Sequence, residues 1–405
     1  MSYFREFRVH WPNLLGAGLG LGFGAAINHH LTSLFAPALI AEFGWTRSQF
    51  ALTGLVGLAS MLFTPIAGRL TDYLGPRKAA MIGFSVLPAG YFCLSLMTGP
   101  IWQLFAIMLV NGTLGILTAT MVFTRVVVER FDIARGIALA VMLSSPPLIA
   151  AVAAPLIGSI IESEGWRTAY RTMAGLSAMG GIAAVLLIGR ARGGKVPERK
   201  AAKLDWAKLR EFARNPLFIL LTAGMFLVNL PQVLVASQFN LMLMENGASM
   251  ASATLLLSLY QICVVVGRFV SGWSLDRIAP HMVAIFMLGL PVAGYLALAS
   301  SFDALWVLAG VAVLVGLAQG AETDVSAFLT SRRFELEHFA FVFSMQMMFM
   351  GLASALGSAL LSFTLRGNGT YDVFLVLAAL STLAGALCFF MTGRYHERRA
   401  ATGEP

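Results

Sequence analysis

The sequence predicts an all-α membrane protein, with twelve transmembrane helices in two six-helix bundles and both termini cytoplasmic. Three observations carry this expectation. Apolar residues make up 58% of the chain and charged residues only 12%, where a soluble domain carries roughly 25% charged. The apolar residues fall in runs of about 20 or more, long enough as helices to cross the hydrocarbon core with every backbone N–H and C=O paired inside the segment. Finally, the basic residues collect in alternate loops.

In chain order the runs cover approximately 13–37, 49–70, 78–98, 101–126, 136–161 and 168–190, then 216–243, 250–272, 282–301, 304–329, 339–364 and 371–392. With the N-terminus inside, every Lys and Arg lies on the cytoplasmic side except Arg47, Arg167, Arg171 and Arg366, which face outward, and Arg268, which lies within a span. That is the bias that sets orientation. The longest polar stretch, Arg190 to Asn215, parts six spans from six. The expected organisation is therefore a bundle over 1–190, a cytoplasmic linker over 191–215 and a second bundle over 216–405. Within the linker, Leu204 to Phe212 reads as a short amphipathic helix on the inner membrane surface, where its basic residues meet anionic lipid.

Several function classes fall away at once. The net charge of +8 resides in loops between spans, so it does not indicate nucleic acid. Cys93, Cys263 and Cys388 lie inside separate apolar runs, without disulfide or metal spacing. The first run, Asn13 to Leu39, is too long for a signal-peptide core and lacks a cleavage site. No phosphate-binding loop, nucleophile–base pair or acid dyad is present, so neither ATP, a cofactor nor catalysis is expected.

The halves echo each other. Gly68-Arg-Leu-Thr-Asp72-Tyr-Leu-Gly-Pro-Arg77-Lys78 follows the second span, and Gly272-Trp-Ser-Leu-Asp276-Arg277 follows the eighth. Internal repeats of this kind build many transporters, with the solute site near mid-membrane. The Gly68 to Lys78 segment resembles the signature loop of the major facilitator superfamily. The resemblance implies a latch on the inner side formed by Gly68, Asp72, Arg77, Asp276 and Arg277. In such a latch Asp72 meets the positive end of a helix from the other half, and Arg77 and Lys78 pair with acids such as Glu129 or Asp132. The plainer reading is a topology anchor.

Further stretches look like the monocarboxylate porters of that superfamily and their bacterial relatives. They are Glu42-Phe-Gly-Trp45-Thr-Arg47-Ser48, Arg135-Gly-Ile-Ala-Leu-Ala140, Gly165-Trp166-Arg167-Thr-Ala-Tyr170 and Gly320-Ala-Glu322-Thr-Asp324. Arg268 lies eight residues before Asp276, which puts it about 12 Å into a hydrocarbon half-thickness of about 15 Å. A guanidinium there costs at least about 2.5 kcal/mol unless it meets a wet cavity or a counter-charge. Its planar fork matches a carboxylate. The resemblance implies that Arg268, four residues before Gly272, holds the substrate anion. The alternative is a structural pair with an acid such as Glu322. One departure stands out: porters of this kind carry an Asp one turn before the arginine, where this chain has Val264, so its proton route differs or is absent.

The same resemblance puts His29 where the porters have a membrane lysine, and a histidine there could carry the companion proton. The alternative is a neutral histidine bonded to a neighbouring span. His30 points about 100° away on a helix and is not expected to share the pathway. Glu322 is a candidate coupling group, or else a salt-bridge partner of Arg125, Arg268 or Arg332. Asp324 is assigned to the inner gate.

Asn111, Ser144, Ser145, Asn229, Gln232, Tyr260, Gln261 and Gln346 interrupt apolar spans, where each either orients a ligand or bonds between helices. Gly16, Gly20 and Gly24 read as a packing seam, and Pro146, Pro147 and Pro155 as a bend in span five. Drug–proton antiporters of the superfamily carry an Arg in span four where Asn111 stands, which argues against efflux of cationic drugs.

The expected function is thus secondary transport of a small organic anion, a monocarboxylate, by alternating access. Its substrate contacts would be Arg268, His29, Asn111, Ser145, Asn229, Gln232, Tyr260 and Gln346, with His29 and Glu322 coupling protons. Proton symport is expected because moving one charge against 100 mV costs about 2.3 kcal/mol. Anion exchange, efflux of a neutral or amphipathic solute, and a membrane solute sensor are the alternatives. The chain is expected to act as a monomer in lipid.

Overall fold

The computed structural model describes residues 3–189, 212, 214–300, 304–334 and 336–402. Among them every regular element is helical. Eleven segments are long and apolar enough to cross a membrane. The remaining predicted span, 13–37, is divided between α1 (Tyr3–Gly22) and α2 (Ala26–Phe43). The predicted linker helix lies outside the described residues except for Phe212, whose ring packs beside Phe218, Phe334 and Phe341.

The division of the first span has a local cause. The chain continues through α3 (Arg47–Ala51), α4 (Val56–Leu74), α5 (Pro76–Ser95), α6 (Ile101–Leu114) and α7 (Thr120–Val128). Between α6 and α7 a 3-10 turn, Gly115–Thr118, ends in an extended Ala119. Thr118 sits at both breaks. Its Oγ1 accepts the Ala25 N–H at 2.8 Å, replacing an intrahelical bond lost at the bend. Gly24 lets the two backbones touch there, because a Cβ would lie 2.6 Å from the Thr118 carbonyl. The expected glycine seam is real: Gly16 abuts residues 184–188, and Gly20 abuts the Phe123 ring.

Span five is likewise divided, into α8 (Arg135–Leu143) and α9 (Ser145–Glu164), just before Pro146 and Pro147. Proline has no N–H to continue the ladder. α10 (Trp166–Ile188) follows. Beyond the linker come α11 (Pro216–Asn229), a π-helical turn Leu234–Gln238 and α12 (Phe239–Glu245). Then come α13 (Met250–Leu275), α14 (Pro280–Leu298), α15 (Leu305–Arg333), α16 (Leu336–Asn368) and α17 (Asp372–Thr402).

By their contacts the described residues form two compact units, one of residues up to 189 with 235–261, the other of residues 212–234 with 262–402. In the first, Leu21, Phe84, Phe123, Val127, Met142 and Ala184 join α1, α5, α7, α8 and α10 in one apolar core. Segment 235–261 is held to it by Ser258 Oγ, which donates to Ala151 O at 2.8 Å, and by an Arg47–Glu245 ion pair at 2.7 Å. In the second, Leu221, Met225, Leu288, Val325 and Phe389 form the core. Large apolar side chains such as Val152, Leu186 and Phe363 are exposed, as lipid-facing positions are.

Two acids outside the spans tie the first unit at its ends. Glu6 reaches from α1 to the turn before α8, accepting the N–H groups of Asp132 at 2.6 Å and Ala134 at 2.8 Å. These bonds hold its carboxyl below the usual range. At the other end Glu42 accepts from Trp166 Nε1 and pairs with Arg167, both at 2.5 Å, which lowers its pKa too. Arg167 lies over the Trp166 ring at 4.2 Å. The Glu42 and Gly165 stretches singled out in the sequence therefore meet.

Glu6 carries a pH prediction. A depressed folded-state pKa stabilises above the unfolded value, and that contribution is lost as pH falls through the folded one. Glu6→Gln is therefore expected to lower the melting temperature at pH 7. The difference from wild type should shrink as pH falls below about 4.3, the ordinary glutamate value. A difference independent of pH would refute it.

Candidate functional site

In the second unit Arg268 and Asp324 lie where α13 and α15 cross. Gly267 faces the Leu317 carbonyl and Gly320 faces that of Val264, with the Arg268 N only 2.8 Å from where a Gly320 Cβ would sit. Lacking side chains, the two glycines let backbone meet backbone. One turn beyond Gly320, the crossing sets Asp324 beside Arg268.

The Arg268 Nε lies 3.4 Å from Asp324 Oδ2, with the side chains 19% and 34% exposed. This is a charge pair without a hydrogen bond. Arg268 Nε and Nη1 are buried and have no hydrogen-bond partner. A buried donor left unmade costs about 1–3 kcal/mol. The guanidinium thus has a counter-charge and two unfilled donors.

Glu322 is elsewhere. It is 3% exposed and accepts from Asn229 Nδ2 in a short bond and from Gln319 Nε2 at 3.3 Å. The pairings foreseen for it with Arg268 or Arg332 are corrected: among the described residues of the second unit no cation pairs with Glu322, and the acid at Arg268 is Asp324. Residues two positions apart on a helix are turned about 200° from each other, so Glu322 and Asp324 do not face the same side. Asn229 also donates to Met225 O at 2.8 Å, so its amide ties α11 to α15. Gln346 is fully buried. It accepts from Ser326 Oγ at 2.6 Å and donates to Thr330 Oγ1 at 3.0 Å, joining α16 to α15. Gln232 is half-buried in the break after α11.

In the first unit, His29 is half-buried on α2, its ring edge-on to that of His30 at 5.4 Å. Gln261 Nε2 donates to His30 O at 3.3 Å. Asn111 is buried against Gly90, with its Oδ1 unpartnered. Ser145 Oγ donates to Met142 O at 2.7 Å. Tyr260 is fully buried beside Phe239.

The loop pairings of the first unit also differ from expectation. Asp72 pairs with Arg125 at 2.7 Å, and Arg125 also holds Glu129 at 2.8 Å, four residues on. Asp132 is taken by Arg135. The Arg77 pairings foreseen with Glu129 or Asp132 are therefore replaced, and Arg77 Nε is buried without a hydrogen-bond partner. A Cβ added at Gly68 would come no closer than 3.8 Å, to Met121 Sδ. Asp276 and Arg277 are exposed, and Arg277 stacks on Trp273 at 4.4 Å. Arg125 and Gln319 escaped notice as site residues, although their spacings to Glu129 and Glu322 put each pair on one helix face.

Comparison with known proteins agrees with this architecture. The profile of the Major Facilitator Superfamily matches residues 18–245 and again 222–405. Similar relatives include monocarboxylate transporter 13 of Rattus norvegicus, 25% identical over 87% of this chain and 82% of its own length. Another is the 4-hydroxybenzoate transporter PcaK of Pseudomonas putida, 24% identical over 86% of both. Among solved structures, the nucleoside transporter NupG superposes with a TM-score of 0.76 at 16% identity, over 94% of this chain and 99% of that one. A D-xylose–proton symporter gives 0.71 at 14% identity, over 96% and 98%.

Proposed function

We propose, from the premise that this chain belongs to the Major Facilitator Superfamily and is a multi-pass transporter of the cell membrane, that its substrate is a small organic anion, a monocarboxylate, moved by alternating access in symport with a proton. In this reading α1 and α2 together make the first of twelve spans, both termini are cytoplasmic, and the bundles over 1–190 and 216–405 are the moving parts.

The observation that carries the reading is Arg268. A guanidinium inside an apolar span, with Nε and Nη1 buried and unpartnered, is a built receptor for a planar anion. A carboxylate accepting from Nη1, or one lying side-on that accepts from Nε, would fill a donor and meet the charge together. The two relatives' names, one for monocarboxylates and one for 4-hydroxybenzoate, support the same class. Asn229 and Gln346 already spend their amides between helices, so Arg268 is the principal contact. His29, Asn111, Ser145, Gln232 and Tyr260 are secondary contacts in the proposal, and a proton-carrying group supplies the coupling.

The test is uptake into proteoliposomes, measured over protein-free vesicles, of labelled 4-hydroxybenzoate and L-lactate. Acid outside is expected to drive accumulation of at least one. Xylose and uridine should not accumulate. Equal uptake of the neutral solutes would end the anion assignment. Carboxylate counterflow indifferent to the pH gradient would replace symport with exchange.

A further inference from the structure

We propose that Asp324 is the group that couples the proton to the substrate: ionised, it neutralises Arg268, and protonated, it leaves that charge to the incoming carboxylate. This deepens the anion reading above and rests on it.

The argument is one of charge. Without substrate the Arg268–Asp324 pair is neutral, and the two side chains are 3.4 Å apart. A carboxylate that approaches ionised Asp324 would bring a second negative charge to a single cation inside the membrane, which costs more than the pair can return. If a proton first binds Asp324, the loaded site again holds one cation and one anion. Empty and loaded sites then carry equal charge, and both can cross the conformational cycle without stranding one. The mixed states, protonated but empty or ionised but loaded, each leave a net charge in the span. One proton therefore travels with each carboxylate. It enters from water onto a carboxylate oxygen of Asp324 and leaves from the same oxygen on the other side, and no covalent bond in the substrate changes.

The geometry makes the exchange feasible. The pair lacks a hydrogen bond, so Asp324 leaves Nε and Nη1 open, and a third of the Asp324 side chain is exposed, so water can reach it. The neighbouring elements offer few rivals. α15 itself bears Glu322, Arg332 and Arg333; α13 and its end bear Tyr260, Cys263, Asp276 and Arg277; α14 bears His281 and Tyr295; and α16 bears Glu337, His338 and Arg366, while α11 has no titratable side chain. Among the described residues, Arg268 alone forms an ion pair with Asp324. Glu322 is bound by Asn229 and Gln319 rather than by a cation.

The test is equilibrium binding of 4-hydroxybenzoate to the purified full chain from pH 5.5 to 8, a range in which the ligand's carboxyl and phenol keep their charge states. For wild type the Kd is expected to rise about tenfold per pH unit once Asp324 is ionised. Asp324→Asn should bind with a flat profile and sustain counterflow, yet fail to accumulate ligand under a pH gradient. Asp324→Glu should restore the slope, and Glu322→Gln should retain it. A slope that persists in Asp324→Asn, or that only Glu322→Gln abolishes, would overturn the proposal while leaving the anion reading intact. So would a flat wild-type profile, or a folded Asp324→Asn that binds at no pH. If wild type binds neither 4-hydroxybenzoate nor L-lactate at any pH, the anion reading itself fails, and this inference with it.

Discussion

Arg268→Ala is expected to weaken carboxylate binding by about 30- to 5,000-fold, because truncating one partner of a buried charge pair costs about 2–5 kcal/mol. Transport should fall with it. Arg268→Lys keeps the charge but offers a point donor in place of a fork, so a loss nearer tenfold is expected. The alanine variant also leaves Asp324 without its cation, so folding and binding must be separated. The double variant Arg268→Ala with Asp324→Asn removes both charges of the pair. It is expected to melt close to wild type and still bind no carboxylate. Binding of 4-hydroxybenzoate by Arg268→Ala within threefold of wild type would exclude Arg268 from the site.

Gly320→Ala should be among the most damaging single methyls in the chain's second unit. The new Cβ would collide with the Val264 carbonyl and lie 2.8 Å from Arg268 N. Overpacking ordinarily costs about 1–3 kcal/mol, and here the obstacle is backbone, which has no rotamer to yield. A loss of about 3 kcal/mol or more is expected, with α15 pushed away from α13 and the Arg268–Asp324 distance increased. Gly310, ten residues earlier on the same helix, is the control, since a Cβ there meets nothing within 4 Å. Gly310→Ala should be neutral or slightly stabilising, as alanine is favoured over glycine in a helix by about 1 kcal/mol. Thermal unfolding in detergent compares the two directly. Equal melting temperatures would show that the crossing is looser than these contacts imply.

Much of the architecture was legible because a bilayer tests local properties. Hydropathy and helix length mark the spans without reference to any partner. The glycine seam at Gly16, Gly20 and Gly24 could be read for the same reason: spacing on one helix is a local fact. The bend at Phe23–Ala25 could not, since it depends on Thr118, a residue far along the chain that accepts the freed Ala25 N–H.

The site divides along the same line. That Arg268 sits deep in a span and needs an anion follows from its position in the chain and the cost of burying a guanidinium. Which acid answers it does not. Glu322 and Asp324 are two residues apart on one helix and equally near in sequence terms. The choice depends on how α15 is rotated against α13, and that rotation is set by the contact of Gly320 with the Val264 backbone. Composition and spacing thus determined a membrane-embedded, all-helical chain with a cation inside a span. Only the helix crossing decided that Asp324 faces this cation and that Glu322 faces Asn229, because the pairing of charges across a packed interface depends on two helices at once.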